Sequence, residues 1–292
     1  MTSVKQTNEN AAQITIRRLL FPFLYDHIER FAALVDKGGD DATLEGVHLI
    51  DDKAAFAKEQ LVDVSVALYI HYRKTGDPRA SVAKERLLRL LDRIRSIHCE
   101  TWGKIALLRA CDRLQKAGLW NDLPAEYRDM IREKTTYDDF FDRRTMTLIH
   151  KPTNYLQVAM TCAGYREKFG WDEAGMCDRI AKTLFSVMKD GSSSGYMDEE
   201  PPYGRFDRYS LLVGSEMSDN LMELGREMPE FAKNNLQKAA EFCLFAANRR
   251  GDGINYGRSL SCHGDGASAE ILSSALARGC LPENSEGTAL AY

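Results

Sequence analysis

Apolar side chains recur at intervals of three and four residues along almost the whole of this chain, and sustained strict alternation is nearly absent. A helix turns every 3.6 residues and a strand every two, so this spacing commits the chain to amphipathic helices. Leu61, Val64, Leu68 and Tyr72 form one stripe; Leu87, Leu91 and Ile94 form a second, and Leu107, Cys111 and Leu114 a third. Leu156, Ala159, Met160 and Ala163 continue the pattern, followed by Met176, Ile180 and Leu184, and then by Phe242, Phe245 and Ala246. Each stripe has the width of one buried helix face. The expected fold class is all-α.

The periodic segments predict helices over 13–35, 53–74, 79–98, 101–118, 123–134, 153–169, 172–189, 208–226, 229–249 and 265–279. Short polar turns such as KTGDPR and KFGWDE carry the Gly stop and Asp start that link one helix to the next. The second member of each pair begins near residues 53, 101, 153, 208 and 265, a step of about 50 residues that suits an αα-hairpin repeat. Longer loops precede these second helices: GVHLIDD, HCETWG, LIHKPTNY, GYMDEEPPYGRFDRYS and GDGINYGRSLSCHGD. In a regular array equivalent loops emerge at one end, and an array that curves into a ring makes that end the mouth of a central cavity. The expectation is an α/α toroid of about five hairpins over residues 13–281. Residues 1–12 are expected to be a disordered tail, and 282–292 a tail or a truncated connection.

A chain of 292 residues can bury a sizeable core. A net charge of -4 and a pI near 5.9 give no basic excess for nucleic acid or an anionic membrane, so a small or neutral ligand fits better. The seven cysteines are scattered, form no CxxC pair and lie mostly in apolar stripes, which reads as reduced core thiols. The polar start MTSVKQTNENAAQ has no apolar signal region, and no run reaches the roughly 20 apolar residues of a membrane span. A soluble, cytoplasmic protein is expected. No GxxxxGK[ST], strand-linked GxGxxG, HExxH or nucleophile elbow occurs, so neither a cofactor nor a metal is expected.

The loop from Asp190 to Phe206 has no helical or strand period, and loops of this length inside domains tend to be functional or disordered. Its tyrosines and stiff Pro201–Pro202 pair favour function. Asp198, Glu199 and Glu200 are candidates for general acid or base in glycosidic cleavage, or form a solvated acidic turn. Asp207 suits the N-cap of the next helix, beside Arg208; Tyr209 is either a proton carrier or a packed aromatic. Arg258 can hold a carboxylate in a bidentate grip or bridge helix ends. His263 can carry protons at neutral pH or cap a helix with Asp265. Asn154 suits the N-cap of its helix or, alternatively, a donor to a substrate carboxylate. His150 stands in the same loop. Trp102, Tyr203 and Tyr256 offer flat faces for sugar rings, and Arg205 adds charge beside Tyr203. Aromatic faces mixed with Arg, Asn and acids point to an oligosaccharide.

The segments YGRFDRYS and NYGRSLS, set in a helical array, resemble toroid domains of carbohydrate-active enzymes. The nearest likeness is to a toroid family of uncharacterised function with a tyrosine-rich D-x-Y segment and a GRSL motif, some members of which are linked to β-glucuronidase-type hydrolysis. A more distant likeness runs to heparinase II/III-type and alginate lyases. The resemblance spans roughly residues 50–280, with its specific motifs in 150–263. It implies that Tyr209 is the tyrosine of the D-x-Y segment, Arg258 the arginine of GRSL and Asn154 a carboxylate-binding amide. Cys262 and His263 stand where the family continues with an aromatic and an arginine. A closed six-hairpin ring needs twelve helices and the pattern supplies ten; the expectation is a shortened relative, a fragment, or a ring closed by the N-terminal residues and a partner subunit in a homo-oligomer. The implied activity is cleavage of uronic-acid-containing oligosaccharides. In hydrolysis, Asp198, Glu199 or Glu200 would pair with Asp207. In β-elimination, Asn154 and Arg258 would neutralise the uronate while Tyr209 or His263 takes the C5 proton. A non-catalytic helical-repeat protein binding a glycan or peptide is the reading of another class.

Overall fold

The computed structural model describes residues 22–38, 42–44, 47–48, 57–191, 208–247, 262–285, 287 and 289. The all-α expectation holds for the described residues. The helices are α1 (residues 22–38), α2 (Ala57–Thr75), α3 (Ala80–Ile94), α4 (Thr101–Lys116), α5 (Ala125–Lys134), α6 (Tyr155–Lys168), α7 (Met176–Gly191), α8 (Arg208–Glu223), α9 (Glu230–Ala246) and α10 (Cys262–Ala277). Two small antiparallel hairpins join them: β1 (Thr43–Leu44) with β2 (Val47–His48), and β3 (Phe141–Asp142) with β4 (Thr147–Leu148). Two-residue strands leave no room for alternation, so periodicity could not reveal them. In the β3–β4 turn the Asp142 carboxylate accepts the N–H groups of Arg144 and Thr145 at 2.8 and 3.2 Å.

All five even-numbered helices end in the same way. Gly76, Gly118, Gly170, Gly225 and Gly279 follow them with φ between 63° and 72°, a region open to glycine without a Cβ clash. The N–H of the next residue then reaches back five positions: Asp77 to the Tyr72 carbonyl at 3.0 Å, and Leu119 to Leu114, Trp171 to Arg166, Arg226 to Leu221 and Cys280 to Ala275 at 2.8 Å each. This Schellman geometry satisfies carbonyls that a helix end would otherwise leave bare. Proline restarts the chain soon afterwards, at the N-cap positions of α5 (Pro124) and α9 (Pro229). No residue with positive φ directly follows α3 or α5, so these helices end without that cap. The same cap thus recurs at all five even-numbered helix ends.

The chain divides into two compact units, Met1–Thr136 and Tyr137–Tyr292. In the first, α2 packs against α3 and α4; in the second, α6 packs against α7 and α8, and α10 against α8 and α9. Side-chain partners give the direction of neighbouring helices. Gln157 on α6 meets Glu216 on α8, 59 residues later, and Tyr165 meets Glu223, 58 residues later. A near-constant separation along both helices means that α6 and α8 run parallel, with their starts at one end. On α2 and α4, Glu59 lies against Gly103 and Asp63 pairs with Arg113, so these two also advance together.

Burial separates the layers. α6 is buried without a break from Leu156 to Arg166, whereas α3 buries only Ala83, Leu87, Leu90, Leu91 and Ile94. The first pattern belongs to a helix with neighbours all round within its unit, and the second to a helix with one wet face. The six described cysteines, Cys99, Cys111, Cys162, Cys177, Cys243 and Cys280, are buried free thiols, as their apolar settings lead one to expect. Among the described residues no helix is long and apolar enough to cross a membrane.

Candidate functional site

The first turn of α6 follows the LIHKPTNY loop. The N–H groups of Tyr155, Leu156 and Gln157 bond to the carbonyls of Pro152, Thr153 and Asn154 at 3.0–3.2 Å, a tight i to i−3 start. These donors are already used, and Asn154, with φ -60° and ψ -21°, makes no side-chain cap. The N-cap role expected for Asn154 is therefore absent. Its side chain is turned to another use: the residue is 1% exposed and its Oδ1 is buried without a hydrogen-bond partner.

One turn further on, Gln157 is fully buried, and its Nε2 donates to Glu216 Oε2 at 2.8 Å. The carboxylate accepts only, so this contact fixes which end of the amide faces α8. Gln157 Oε1 is left buried and without a partner. Three residues beyond Glu216 on α8, Asp219 accepts a hydrogen bond from the Ser274 hydroxyl of α10 at 2.7 Å. Residues three apart on a helix have Cβ atoms about 5–6 Å from each other, so α8 presents two half-buried carboxylates side by side. Ser215, Ser218 and Asn220 add buried polar groups to the same helix. Farther down the α6–α8 seam, the Tyr165 hydroxyl donates to Glu223 Oε2 at 2.7 Å.

Gln157, Glu216 and Asp219 were not singled out in the sequence. Their signal is faint but present: Gln157 stands between Leu156 and Val158, and Glu216 and Asp219 lie in a short polar stretch bounded by apolar residues, LLVGSEMSDNLM. Such residues bring water-loving groups into a core and need partners there.

The expected site residues are distributed as follows. His150 is exposed, with φ 51°, just after β4. Trp102 is half-buried in the first turn of α4, in the other unit. Tyr209 and Arg208 open α8, and His263 lies in the first turn of α10; their side chains, together with Asp198, Glu199, Tyr203, Arg205, Asp207, Tyr256 and Arg258, lie outside the described residues. The starts of α6 and α8 share one end of the second unit, and LIHKPTNY leads into α6 at that end.

A second polar assembly surrounds the HCETWG loop in the first unit. Lys58 and Glu59 at the start of α2 are each 1% exposed, with Lys58 Nζ 3.6 Å from Glu59 Oε1. Burial pushes the Glu59 carboxyl above its ordinary value, and the Lys58 charge works against that shift. Glu59 Oε2 has no hydrogen-bond partner. Lys104 on α4 donates to the Thr136 carbonyl, and Lys134 on α5 to that of Ile97, both at 2.6 Å. Burial lowers the proton affinity of Lys134.

Among the described residues no group of three or more His, Cys, Asp and Glu converges as a metal site. Comparison with family models, with curated proteins and with solved structures finds no match to this chain. The functional reading therefore stands on the geometry of the α6–α8 and α8–α10 seams.

Proposed function

We propose that the protein is an α/α-toroid enzyme that cleaves glycosidic bonds in uronic-acid-containing oligosaccharides, by hydrolysis. The observation that carries this reading is the α6–α8 seam, where a carboxylate, Glu216, is held by Gln157 beside buried amide oxygens that have no partner. Structural amides in a packed core are normally satisfied, so unsatisfied ones at the loop end of an inner helix suit a site awaiting a ligand. Gln157 fixes the orientation of Glu216, which would serve as the base that takes a proton from the attacking water. Asp207, next to the start of α8, or Asp198 and Glu199 in the loop before it, would protonate the departing oxygen. Tyr209 lies seven residues before Glu216 on α8, two helical turns or about 10 Å along the axis, and would contact the neighbouring part of the substrate. Arg258 is the group suited to the uronate carboxylate.

The test is incubation with uronic-acid oligosaccharides while following new reducing ends and the ultraviolet absorbance of an unsaturated product. Reducing ends alone are expected, and they should disappear in Glu216→Gln. A rise in both signals would replace hydrolysis with β-elimination, and no change in either would leave a glycan- or peptide-binding protein.

A further inference from the structure

Helix α1 is held to α2 and α3 of the first unit through polar side chains, and none of residues 22–38 is fully buried. Glu29 meets Arg86 at 2.7 Å and accepts the Tyr72 hydroxyl, while Asp36 pairs with Arg86 and, at 3.0 Å, with Arg89. Against these three helices lies a cavity of about 990 Å³ with mostly apolar walls, to which His71 and Tyr72 of α2 and Val82 of α3 contribute. The α1 residues on it, Tyr25, Asp26, Glu29, Arg30 and Ala33, recur at three and four and so form one helix face. That face carries a ring and charges in place of the aliphatic side chains that fill a core. Ligand cavities of about 300–1,000 Å³ have such mainly apolar walls with a few placed polar groups.

The walls define what fills it. Tyr25 and His71 stack with centroids 4.1 Å apart, and the Tyr72 ring lies 5.7 Å from that of His71, so three rings stand in series in the wall. The charged side chains on the cavity are already matched: Asp26 with Arg30 at 2.9 Å, Glu29 with Arg86 at 2.7 Å, and Arg79 with Asp77 at 2.7 Å. A charged ligand would compete for a group that has its counter-ion, whereas an uncharged one leaves all three pairs in place. A saturated ligand would bury apolar surface but lack the further attraction between aromatic rings. We infer that this cavity is a binding site for an uncharged compound with a flat aromatic ring system, seated against Tyr25, His71 and Tyr72. The site lies in the first unit and does not rest on the glycan reading, whose carrying residues are in the second.

The experiment measures binding to the full chain by titration calorimetry. The probes are 2-naphthol, which is flat and uncharged; 2-naphthoate, which puts a carboxylate on the same rings; and decahydro-2-naphthol, which keeps the carbon skeleton without aromaticity. The expected result is that 2-naphthol binds, that the naphthoate binds about tenfold more weakly or worse, and that the saturated alcohol loses about threefold or more. Amide exchange in α1 should slow when 2-naphthol is bound, because α1 supplies part of the wall. Val82 lines the cavity and is 46% exposed, so Val82→Trp fills the space without disturbing the core and should weaken 2-naphthol by about tenfold or more. If that variant misfolds, by circular dichroism, Ala33→Trp brings the same bulk in from the exposed α1 side.

Equal or tighter binding of 2-naphthoate would overturn the inference in favour of an anion site, and equal binding of the saturated alcohol would overturn it in favour of an aliphatic ligand. Binding that the tryptophan variant leaves unchanged would put the ligand elsewhere, and binding by no probe would leave the cavity to water; either result overturns the inference. None of these outcomes touches the glycan reading, which the release of reducing ends tests by itself.

Discussion

At the scale of single residues, two glycines mark where helices come closest. A Cβ built on Gly103 would lie 2.7 Å from Glu59 Cδ, and one on Gly164 would lie 2.5 Å from Leu224 Cδ1 and 3.0 Å from Cys177 Sγ. Gly103→Ala is expected to destabilise the chain by about 1–3 kcal/mol, the usual cost of overpacking. In a Glu59→Ala background the clash has no partner, so the same change should cost much less; a denaturation cycle that shows additivity would reject the contact. Glu59 also predicts a pH dependence. Its carboxyl has a folded-state pKa above the unfolded value, so its contribution is fully present below the unfolded pKa and is lost as pH rises through the folded pKa. Chemical denaturation from pH 4 to 8 should show this decline in the wild type, and Glu59→Gln should remove that part of the slope. A slope that survives unchanged would mean that another group titrates. None of these contacts was legible in the sequence, because a glycine inside a helical stripe says only that space is short and never names the neighbour.

At the scale of elements, the helices were largely readable. The stripes from Leu61 to Tyr72 and from Leu87 to Ile94 fall inside α2 and α3, because one-sided burial imposes a visible period. The caps were legible too: KTGDPR and KFGWDE each contain a glycine now found at φ 70°. No residue meets a Cβ built on Gly170, so replacing it tests backbone conformation alone. Gly170→Ala should cost about 1 kcal/mol and Gly170→Asn less, since Asn tolerates the left-handed region better. Gly164→Ala, six residues earlier and sterically blocked, should cost more than either; thermal melts of the three variants give the order directly. The cap of α6 was misread for an instructive reason. Asn before a helix is a strong statistical signal for a side-chain cap, but here the backbone closes the first turn by itself, which frees the amide for the core.

At the scale of the whole molecule, the sequence shows a step of about 50 residues between helix starts without showing which helices are buried all round. A helix buried all round loses the one-sided stripe by which an amphipathic helix is read. α6 illustrates this: its burial from Leu156 to Arg166 includes Gln157, Thr161 and Arg166, so its polar residues look like a solvated face when read from spacing alone. The same ambiguity hid the candidate site, since Glu216 and Gln157 resemble surface residues until α8 and α6 are placed side by side. Hydrogen exchange separates the two classes. Amides of inner helices open only when neighbours on every side are lost, so protection should approach that of global unfolding. Within the first unit α4 should exchange more slowly than α3, and within the second α6 more slowly than α7, although all four are regular helices of similar length. Mass-spectrometric exchange over minutes to hours resolves these segments. If α3 and α7 proved the more protected, the layer assignment would be inverted, and Gln157 and Glu216 would no longer stand at the inner seam on which the proposed chemistry depends.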